Sequence, residues 1–86
     1  MSDVVIAGYA RSPFTPARRG DLARVRPDDL AAQVVKALIE RSGIDPQSIE
    51  DVILGCAFPE GEQGLNAGRL VALLAGLPIS VAGTTV

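Results

Sequence analysis

The sequence predicts an α/β fold in which strands and helices alternate, beginning and ending with a strand. Three short apolar runs, residues 4–8, 52–55 and 81–86, are separated by two longer segments whose apolar residues recur at helical spacing. The 86 residues are 48% hydrophobic but only 3% aromatic, and small aliphatic side chains suit close packing of helices on a sheet. Because a helix between two strands requires a crossover connection, we expect all three strands to be parallel neighbours in one sheet.

The first predicted strand, Val4 to Gly8, is a continuous apolar run rich in β-branched residues, as in a strand buried on both faces. Residues 11–26 follow as a predicted irregular loop, because Pro13, Pro16 and Gly20 interrupt regular structure. Loops of this length are unusual inside a compact domain and more often serve a function or an interface.

Two helices are predicted between the strands. The first begins at Pro27, a residue that suits the first helical position, runs to about Ser42 and ends at Gly43. The second runs from Leu65 to Ala75 and ends at Gly76. It contains so few polar residues that we expect nearly all of it to be buried.

The charge and the residue inventory exclude several functions. A net charge of −2 disfavours nucleic-acid binding, which requires a basic surplus. With one cysteine and no histidine, this chain cannot form an internal disulfide, a Cys-His pair or a His-metal site. Neither GxGxxG nor GxxxxGK[ST] occurs, so no phosphate-binding loop is indicated. We therefore expect no catalytic, cofactor-binding or metal-binding residue in this segment.

The chain shows no targeting or membrane segment. The residues at its start lack the basic region of a signal peptide, and no apolar stretch approaches the roughly 20 residues that cross a bilayer. We expect no membrane span and a cytoplasmic location.

Two further features have both a structural and a functional interpretation. Cys56 follows the second strand, and a free cysteine with no histidine to activate it is more often a buried packing residue, so we expect it to react slowly. The arginines of the loop could bind the phosphates of a nucleotide-like cofactor. We favour instead a solvated loop or pairing with acidic residues elsewhere. Only Asp21 opposes these arginines within the stretch: Arg11, Arg18, Arg19, Arg24 and Arg26.

A polar loop broken by glycines, residues 60–66, leads directly into the second helix. In the simpler interpretation, Asn66 or a neighbour caps that helix. In the other, residues 62–69 and the third strand form part of a subunit interface, with Gln63, Asn66 and Arg69 as interface residues. The second helix has almost no polar side to present to water, and this chain has too few partners to cover it, which motivates the interface hypothesis.

Three segments carry a resemblance to a known family. They are Ala10-Arg11-Ser12-Pro13-Phe14, Ile53-Leu54-Gly55-Cys56, and Glu62-Gln63-Gly64-Leu65-Asn66-Ala67-Gly68-Arg69 continuing to Ala75-Gly76-Leu77-Pro78. In this order and spacing they are similar to the N-terminal pattern of the thiolases, and most similar to the degradative 3-ketoacyl-CoA thiolases, the acetyl-CoA acyltransferases. Gly68 departs from that pattern, which commonly has a helix-favouring residue there, and glycine costs a helix up to about 1 kcal/mol.

The resemblance implies a thiolase-like fold. Residues 1–86 would be an incomplete N-terminal part of the thiolase N-terminal domain, the βαβαβ beginning of a layered αβαβα architecture, with no second domain in this chain. The implied enzyme is an acyl-CoA C-acyltransferase of lipid metabolism, as in fatty acid β-oxidation. It performs thiolytic cleavage or Claisen condensation of 3-ketoacyl-CoA through a cysteine acyl-enzyme.

The resemblance also implies that the reacting residues lie outside this chain. In the family, the nucleophilic cysteine follows the strand that matches Gly83 to Val86 by a few residues, and the activating histidine and a second cysteine belong to the C-terminal half. Coenzyme A is a substrate, and no cofactor is implied. The implied partners are acyl-CoA, CoA, the rest of the thiolase chain and further copies of it, as a homodimer or homotetramer.

Two alternatives stay open at the level of sequence. A related condensing enzyme, such as a ketoacyl synthase, or a non-catalytic thiolase-like protein would share the fold. A small α/β interaction module would be a different class of protein.

Overall fold

A computed structural model describes residues 3–86 of the chain. The elements, in chain order, are helix α1 (Pro27–Ser42), a 3-10 turn (Pro46–Ser48), strand β1 (Asp51–Leu54), a second 3-10 turn (Gly61–Gln63), helix α2 (Ala67–Leu74) and strand β2 (Ala82–Thr85). The structure contains both helices and strands, which is consistent with the α/β fold that the resemblance to thiolases implies. None of the helices in residues 3–86 combines the length and apolar character needed to cross a membrane.

Helix α1 begins and ends where the sequence predicts. Pro27 occupies its first turn, where a missing N–H costs nothing, and the acidic residues that follow face the positive end of the helix dipole. Gly43 ends the helix with φ 71°, and its N–H donates to the carbonyl of Ile39 at 3.1 Å. This left-handed conformation is one that glycine adopts without steric cost.

The second and third predicted strands are confirmed as a parallel pair. Asp51 lies opposite Ala82, and Leu54 lies opposite Thr85. The ladder continues beyond the strands, because the Val86 N–H donates to the Leu54 carbonyl at 2.9 Å. α2 is the crossover between the two strands, as parallel pairing requires.

The first predicted strand, Val4 to Gly8, is wrong for the structure described. These residues form neither helix nor strand and lie outside the two-stranded sheet, and Val4 and Ile6 are 100% and 93% exposed. Only the end of the segment lies near α1, where Arg41 Nη1 donates to the carbonyl of the next residue, Tyr9, at 3.4 Å. An apolar run has side chains that suit a strand, but a strand also needs a second strand to which its N–H and C=O groups can bond. Without such a partner, these backbone groups bond to water. The three-stranded βαβαβ order is therefore not seen in residues 3–86.

The core lies where α2 meets α1 and the sheet. Its buried residues are small and aliphatic, as the composition indicates: Ala32, Val71, Ala72, Ala75, Leu77 and Val81. The prediction that α2 is almost wholly buried is wrong, since Leu73 and Leu74 are 45% and 52% exposed. A helix of eight residues that contacts neighbours on one side leaves its other side uncovered, whatever its polarity.

The arginine-rich loop forms consecutive turns in residues 17–25. The Gly20 N–H donates to the Pro16 carbonyl at 2.9 Å, and the Thr15 hydroxyl accepts from the Leu22 N–H at 3.3 Å. A Cβ at Gly20 would lie 2.5 Å from the Pro16 carbonyl oxygen, so this turn requires glycine.

Candidate functional site

Three of the residues singled out from the sequence, Cys56, Gln63 and Asn66, lie near the carboxyl end of the sheet, whereas Arg69 lies near the opposite end of β2. β1 and β2 are parallel, so the residues that follow them, Cys56 and Val86, leave the sheet at the same end. They are hydrogen-bonded to each other there, with the Cys56 N–H donating to the Val86 carbonyl at 2.8 Å. Carboxyl ends of parallel strands are a common location for functional sites in α/β proteins.

Asn66 connects the polar loop to β2. It stands at the position before α2 with φ 58° and ψ 73°, but its side chain makes no capping hydrogen bond to that helix. Its amide nitrogen instead donates to the Gly83 carbonyl at 2.9 Å, and its amide oxygen accepts from the Thr85 hydroxyl at 2.8 Å. Of the simpler interpretation, that Asn66 or a neighbour caps the helix, the form with Asn66 as the cap is therefore wrong, because both ends of the amide bind the strand.

Thr85 supplies the cap instead. Its hydroxyl oxygen accepts a hydrogen bond from the Gly68 N–H, in the first turn of α2, at 2.9 Å. The first N–H groups of a helix have no partner within the helix, and here a strand residue provides one. Sequence reasoning missed Thr85, since a threonine in a predicted strand carries no signal of a cap 17 residues earlier.

Two glycines allow α2 to lie directly against β2. A Cβ at Gly68 would be 2.4 Å from the Thr84 carbonyl oxygen, and a Cβ at Gly83 would be 2.3 Å from Arg69 Cα. Both neighbours are backbone atoms, so neither could give way without moving a whole element. Gly68, which the sequence presents as an unfavourable helix residue, is required by this contact.

Arg69 binds the chain just before β2 begins. Its guanidinium donates to the carbonyls of Val81 and Ile79, the second at 3.1 Å. Alternate residues of a strand direct their backbone groups to opposite edges, and Ala82 and Val86 bond to the β1 side. The Val81 and Gly83 carbonyls therefore lie at the outer edge, where Arg69 and Asn66 occupy them. The predicted interface residues thus have partners within this chain.

Gln63 and Cys56 lie close together beyond β1. The Gln63 amide nitrogen donates to the Phe58 carbonyl at 2.9 Å and lies 3.5 Å from the Cys56 sulfur. Cys56 is half-buried rather than largely buried, and it borders a cavity of about 190 Å³. The cavity lies between the start of α1 and the polar loop and is lined by Pro27, Asp28, Ala31, Leu54, Gly55, Cys56, Glu62, Gln63 and Ala67.

A small ion-pair network joins α1 to the polar loop. Arg26 Nε and Nη2 donate to the two carboxylate oxygens of Asp28 at 3.1 and 3.0 Å, and Arg26 Nη1 lies 3.3 Å from a carboxylate oxygen of Glu62. The bond from Arg26 lowers the pKa of Asp28 and raises the pKa of Arg26. Arg26 is therefore paired with acidic residues elsewhere in the chain, as the structural interpretation of the loop arginines predicts.

The arrangement holds elements in place and carries few groups for chemistry. Among residues 3–86, no three His, Cys, Asp or Glu side chains come together in a way that could hold a metal ion. In the same residues, every buried side-chain nitrogen and oxygen has a hydrogen-bond partner. The site fixes the carboxyl end of β2 against α2 and β1.

Comparison with known proteins gives one consistent family. The model of the thiolase N-terminal domain matches residues 4–86. A 3-ketoacyl-CoA thiolase of Bacillus subtilis (strain 168) is 50% identical over 86 residues, which are 100% of this chain and 22% of that protein. Proteins of the same name from Psychrobacter arcticus and Acinetobacter baumannii (strain ATCC 17978) are 45% and 48% identical over 84 residues, which are 98% of this chain and 22% of each protein.

The chain thus spans 22% of the length of these curated relatives. The match covers the residues on which the resemblance depends, including the polar loop, α2 and β2. The resemblance is therefore confirmed, and the chain belongs to the thiolase family, whose N-terminal domain it matches over residues 4–86.

Proposed function

We propose that this chain is part of an acyl-CoA C-acyltransferase that cleaves 3-ketoacyl-CoA with CoA, or condenses two acyl-CoA molecules in the reverse direction. The observation that carries the proposal is the attachment of β2 to α2 by Asn66, Gly68 and Arg69. These residues belong to the motif that is most specific to the family. Relatives that share the segment at up to 50% identity are named 3-ketoacyl-CoA thiolase, which supports the same activity.

In the proposed reaction, a cysteine thiolate a few residues after Val86 attacks the 3-keto carbon of the substrate. The bond between C2 and C3 breaks, its electron pair takes a proton at C2, and acetyl-CoA leaves. The acyl group remains on the cysteine as a thioester and is transferred to the thiol of a second CoA. A histidine and a second cysteine, also outside this chain, move the protons.

In this reaction the segment has a positioning role. The nucleophile must reach the carbonyl carbon within about 3–3.5 Å and at the correct angle. β2 leads to the nucleophile, and it is hydrogen-bonded to β1 on one side and to α2 on the other. We propose that the described residues thus form the base on which the reacting residue is held.

The proposed partners follow from the same assignment. CoA and acyl-CoA are substrates, no separate cofactor is required, and the enzyme acts in fatty acid β-oxidation in the cytoplasm. We also propose a homodimer or homotetramer in which Gln63, Asn66 and Arg69 lie at a subunit interface. Two exposed apolar residues lie beside these positions and support an interface there: Leu65, which precedes Asn66 and is 93% exposed, and Ile79, whose carbonyl accepts from Arg69 and which is 78% exposed.

The activity is tested with a full-length protein that carries this segment. Incubated with 3-ketoacyl-CoA and CoA, it should convert the substrate to acetyl-CoA and the shortened acyl-CoA, separated by liquid chromatography. Replacing the cysteine that follows Val86 with alanine should abolish the conversion, whereas Cys56→Ala, the matched control, should retain it. An intact protein that consumes no 3-ketoacyl-CoA would contradict the proposal.

Other outcomes distinguish the alternatives. Condensation without thiolysis would favour a ketoacyl synthase, and the absence of both reactions would favour a non-catalytic thiolase-like protein. A small interaction module would be an isolated, monomeric and cooperatively folded 86-residue chain in size-exclusion chromatography and circular dichroism. The many exposed large apolar residues argue against that module: Val4, Val5, Ile6, Tyr9, Phe14, Phe58, Leu65, Ile79 and Val86 are each more than two thirds exposed.

A further inference from the structure

We infer that Thr85 is a positioning residue. Through Asn66 and Gly68 it fixes the direction in which the backbone leaves the sheet at Val86, and it thereby positions the cysteine that reacts a few residues later. This inference rests on the proposed function, because it requires a reacting residue shortly after β2. It assigns a role to a threonine that the family motif in the polar loop does not include.

The Thr85 hydroxyl is held in one orientation. It donates its only hydrogen to the Asn66 amide oxygen at 2.8 Å, and its oxygen accepts from the Gly68 N–H at 2.9 Å. The Asn66 amide is fixed in turn by its donation to the Gly83 carbonyl at 2.9 Å. The last residues of β2 therefore make two hydrogen bonds with the loop and one with the helix, which leaves this end of the strand little freedom to rotate.

The backbone of the loop has an unfavourable conformation at this point. Leu65 and Asn66 have φ values of 56° and 58°, in the left-handed region that a bulky residue such as leucine rarely adopts. Such conformations persist only where surrounding contacts determine them, and they cluster at functional sites. Here the contacts are the two hydrogen bonds between the Asn66 side chain and β2, together with those that the Asn66 carbonyl accepts from the first N–H groups of α2. The Leu65 side chain, which is 93% exposed, contributes little.

Val86 is held on the β1 side, and the residue before it is held on the α2 side. Its N–H donates to the Leu54 carbonyl at 2.9 Å, and its carbonyl accepts from the Cys56 N–H at 2.8 Å, which fixes it to the β1 side. Thr85, the residue before it, is fixed to α2 by the hydroxyl. The direction of the chain beyond Val86 is therefore set by two independent groups of hydrogen bonds, and Thr85→Val removes one of them while keeping the size of the side chain.

The test uses the full-length enzyme and four variants. Thr85→Val should lower kcat by about 10- to 100-fold, the loss expected when a reacting group is displaced by a fraction of an ångström to 1 Å. KM should change much less, because the Thr85 hydroxyl is already occupied by its hydrogen bonds with Asn66 and Gly68. Alkylation of the reacting cysteine by iodoacetamide, followed by mass spectrometry, should slow in the same variant. Thr85→Ser restores the hydroxyl and should retain more than half of the wild-type kcat.

Thr84→Val is the matched control, since Thr84 is an exposed threonine on the same strand, and its kcat should equal that of the wild type. Asn66→Asp keeps the acceptor for Thr85 but loses the donor to Gly83, so it should lower kcat as Thr85→Val does. Thermal melting identifies any variant that does not fold. If Thr85→Val is one, Asn66→Asp takes its place, and a folded Asn66→Asp with the same kcat as Thr84→Val would overturn the inference.

An active wild type whose Thr85→Val variant has the same kcat as Thr84→Val would overturn the inference alone. A loss in Thr85→Val that Thr85→Ser does not reverse would also overturn it. A folded wild type without thiolysis activity would overturn the proposed function, and the inference with it.

Discussion

Replacing Gly68 with alanine tests how closely α2 and β2 approach each other. On helix propensity alone, the change should stabilise the protein by about 1 kcal/mol, because alanine loses less backbone freedom than glycine. The structure reverses this expectation. The added Cβ would lie 2.4 Å from the carbonyl oxygen of Thr84 and 2.8 Å from its carbonyl carbon, and both atoms belong to the backbone of β2.

Relief of this contact requires the helix and the strand to separate. Overpacking of this kind costs about 1–3 kcal/mol. The separation also stretches the bond from the Gly68 N–H to the Thr85 hydroxyl, which contributes about 1 kcal/mol. Because the gain in helix propensity is of similar size to the lost hydrogen bond, we expect Gly68→Ala to lower the free energy of unfolding by about 1–3 kcal/mol.

The assay is thermal unfolding of a full-length protein that carries this segment, followed by circular dichroism. A loss of 1 kcal/mol lowers the midpoint by about 2–4 °C in a domain of 150–250 residues, so the shift is measurable. Gly55→Ala is the control, because a Cβ at Gly55 meets no atom within 4 Å, and its midpoint should stay close to that of the wild type. A Gly68→Ala protein as stable as the wild type, or more stable, would refute the close contact.

Further predictions concern the ion pair, the core and the cysteine. The lowered pKa of Asp28 means that the carboxylate stabilises the fold above about pH 4 and that this contribution is lost as the pH falls through the lowered pKa. In urea unfolding, Arg26→Ala should therefore have a lower free energy of unfolding than the wild type at pH 7, and the difference should shrink in acid. A difference that is independent of pH would contradict the pairing. Val71→Ala should lower the free energy of unfolding by about 2 kcal/mol, since Val71 is 0% exposed. Leu73→Ala should lower it clearly less, because Leu73 is 45% exposed, and equal losses would contradict the observed burial. Cys56 in the folded full-length protein should react with a thiol reagent more slowly than in urea, because it is half-buried and accepts a hydrogen bond from Gln63. Equal rates would show that it is open to solvent.

The sequence is sufficient to predict elements that local chemistry determines. Pro27 and Gly43 mark the two ends of α1, and the observed bounds agree with them. Gly76 has a left-handed conformation just beyond α2, as its position after the last apolar turn indicates. The parallel pairing of β1 and β2 follows from the helix between them.

Contacts between distant residues are where prediction from the sequence fails. Val4 to Gly8 has the composition of a strand, but composition does not supply the partner with which a strand must pair. Gly68 has low helix propensity, and only the position of Thr84 explains why glycine is needed. Asn66 has the chemistry of a cap, and whether its amide binds the helix or β2 depends on residues 17 and 19 positions later.

The most direct test of the account is to identify the acylated residue. A full-length protein that carries this segment would be incubated with acetyl-CoA, quenched in acid, digested and analysed by mass spectrometry for a peptide bearing one acetyl group as a thioester. We predict that the acetyl group is on a cysteine shortly after Val86 and that Cys56 is unmodified. Acetylation of Cys56, or a catalytically active protein without any acetylated cysteine after Val86, would contradict the account.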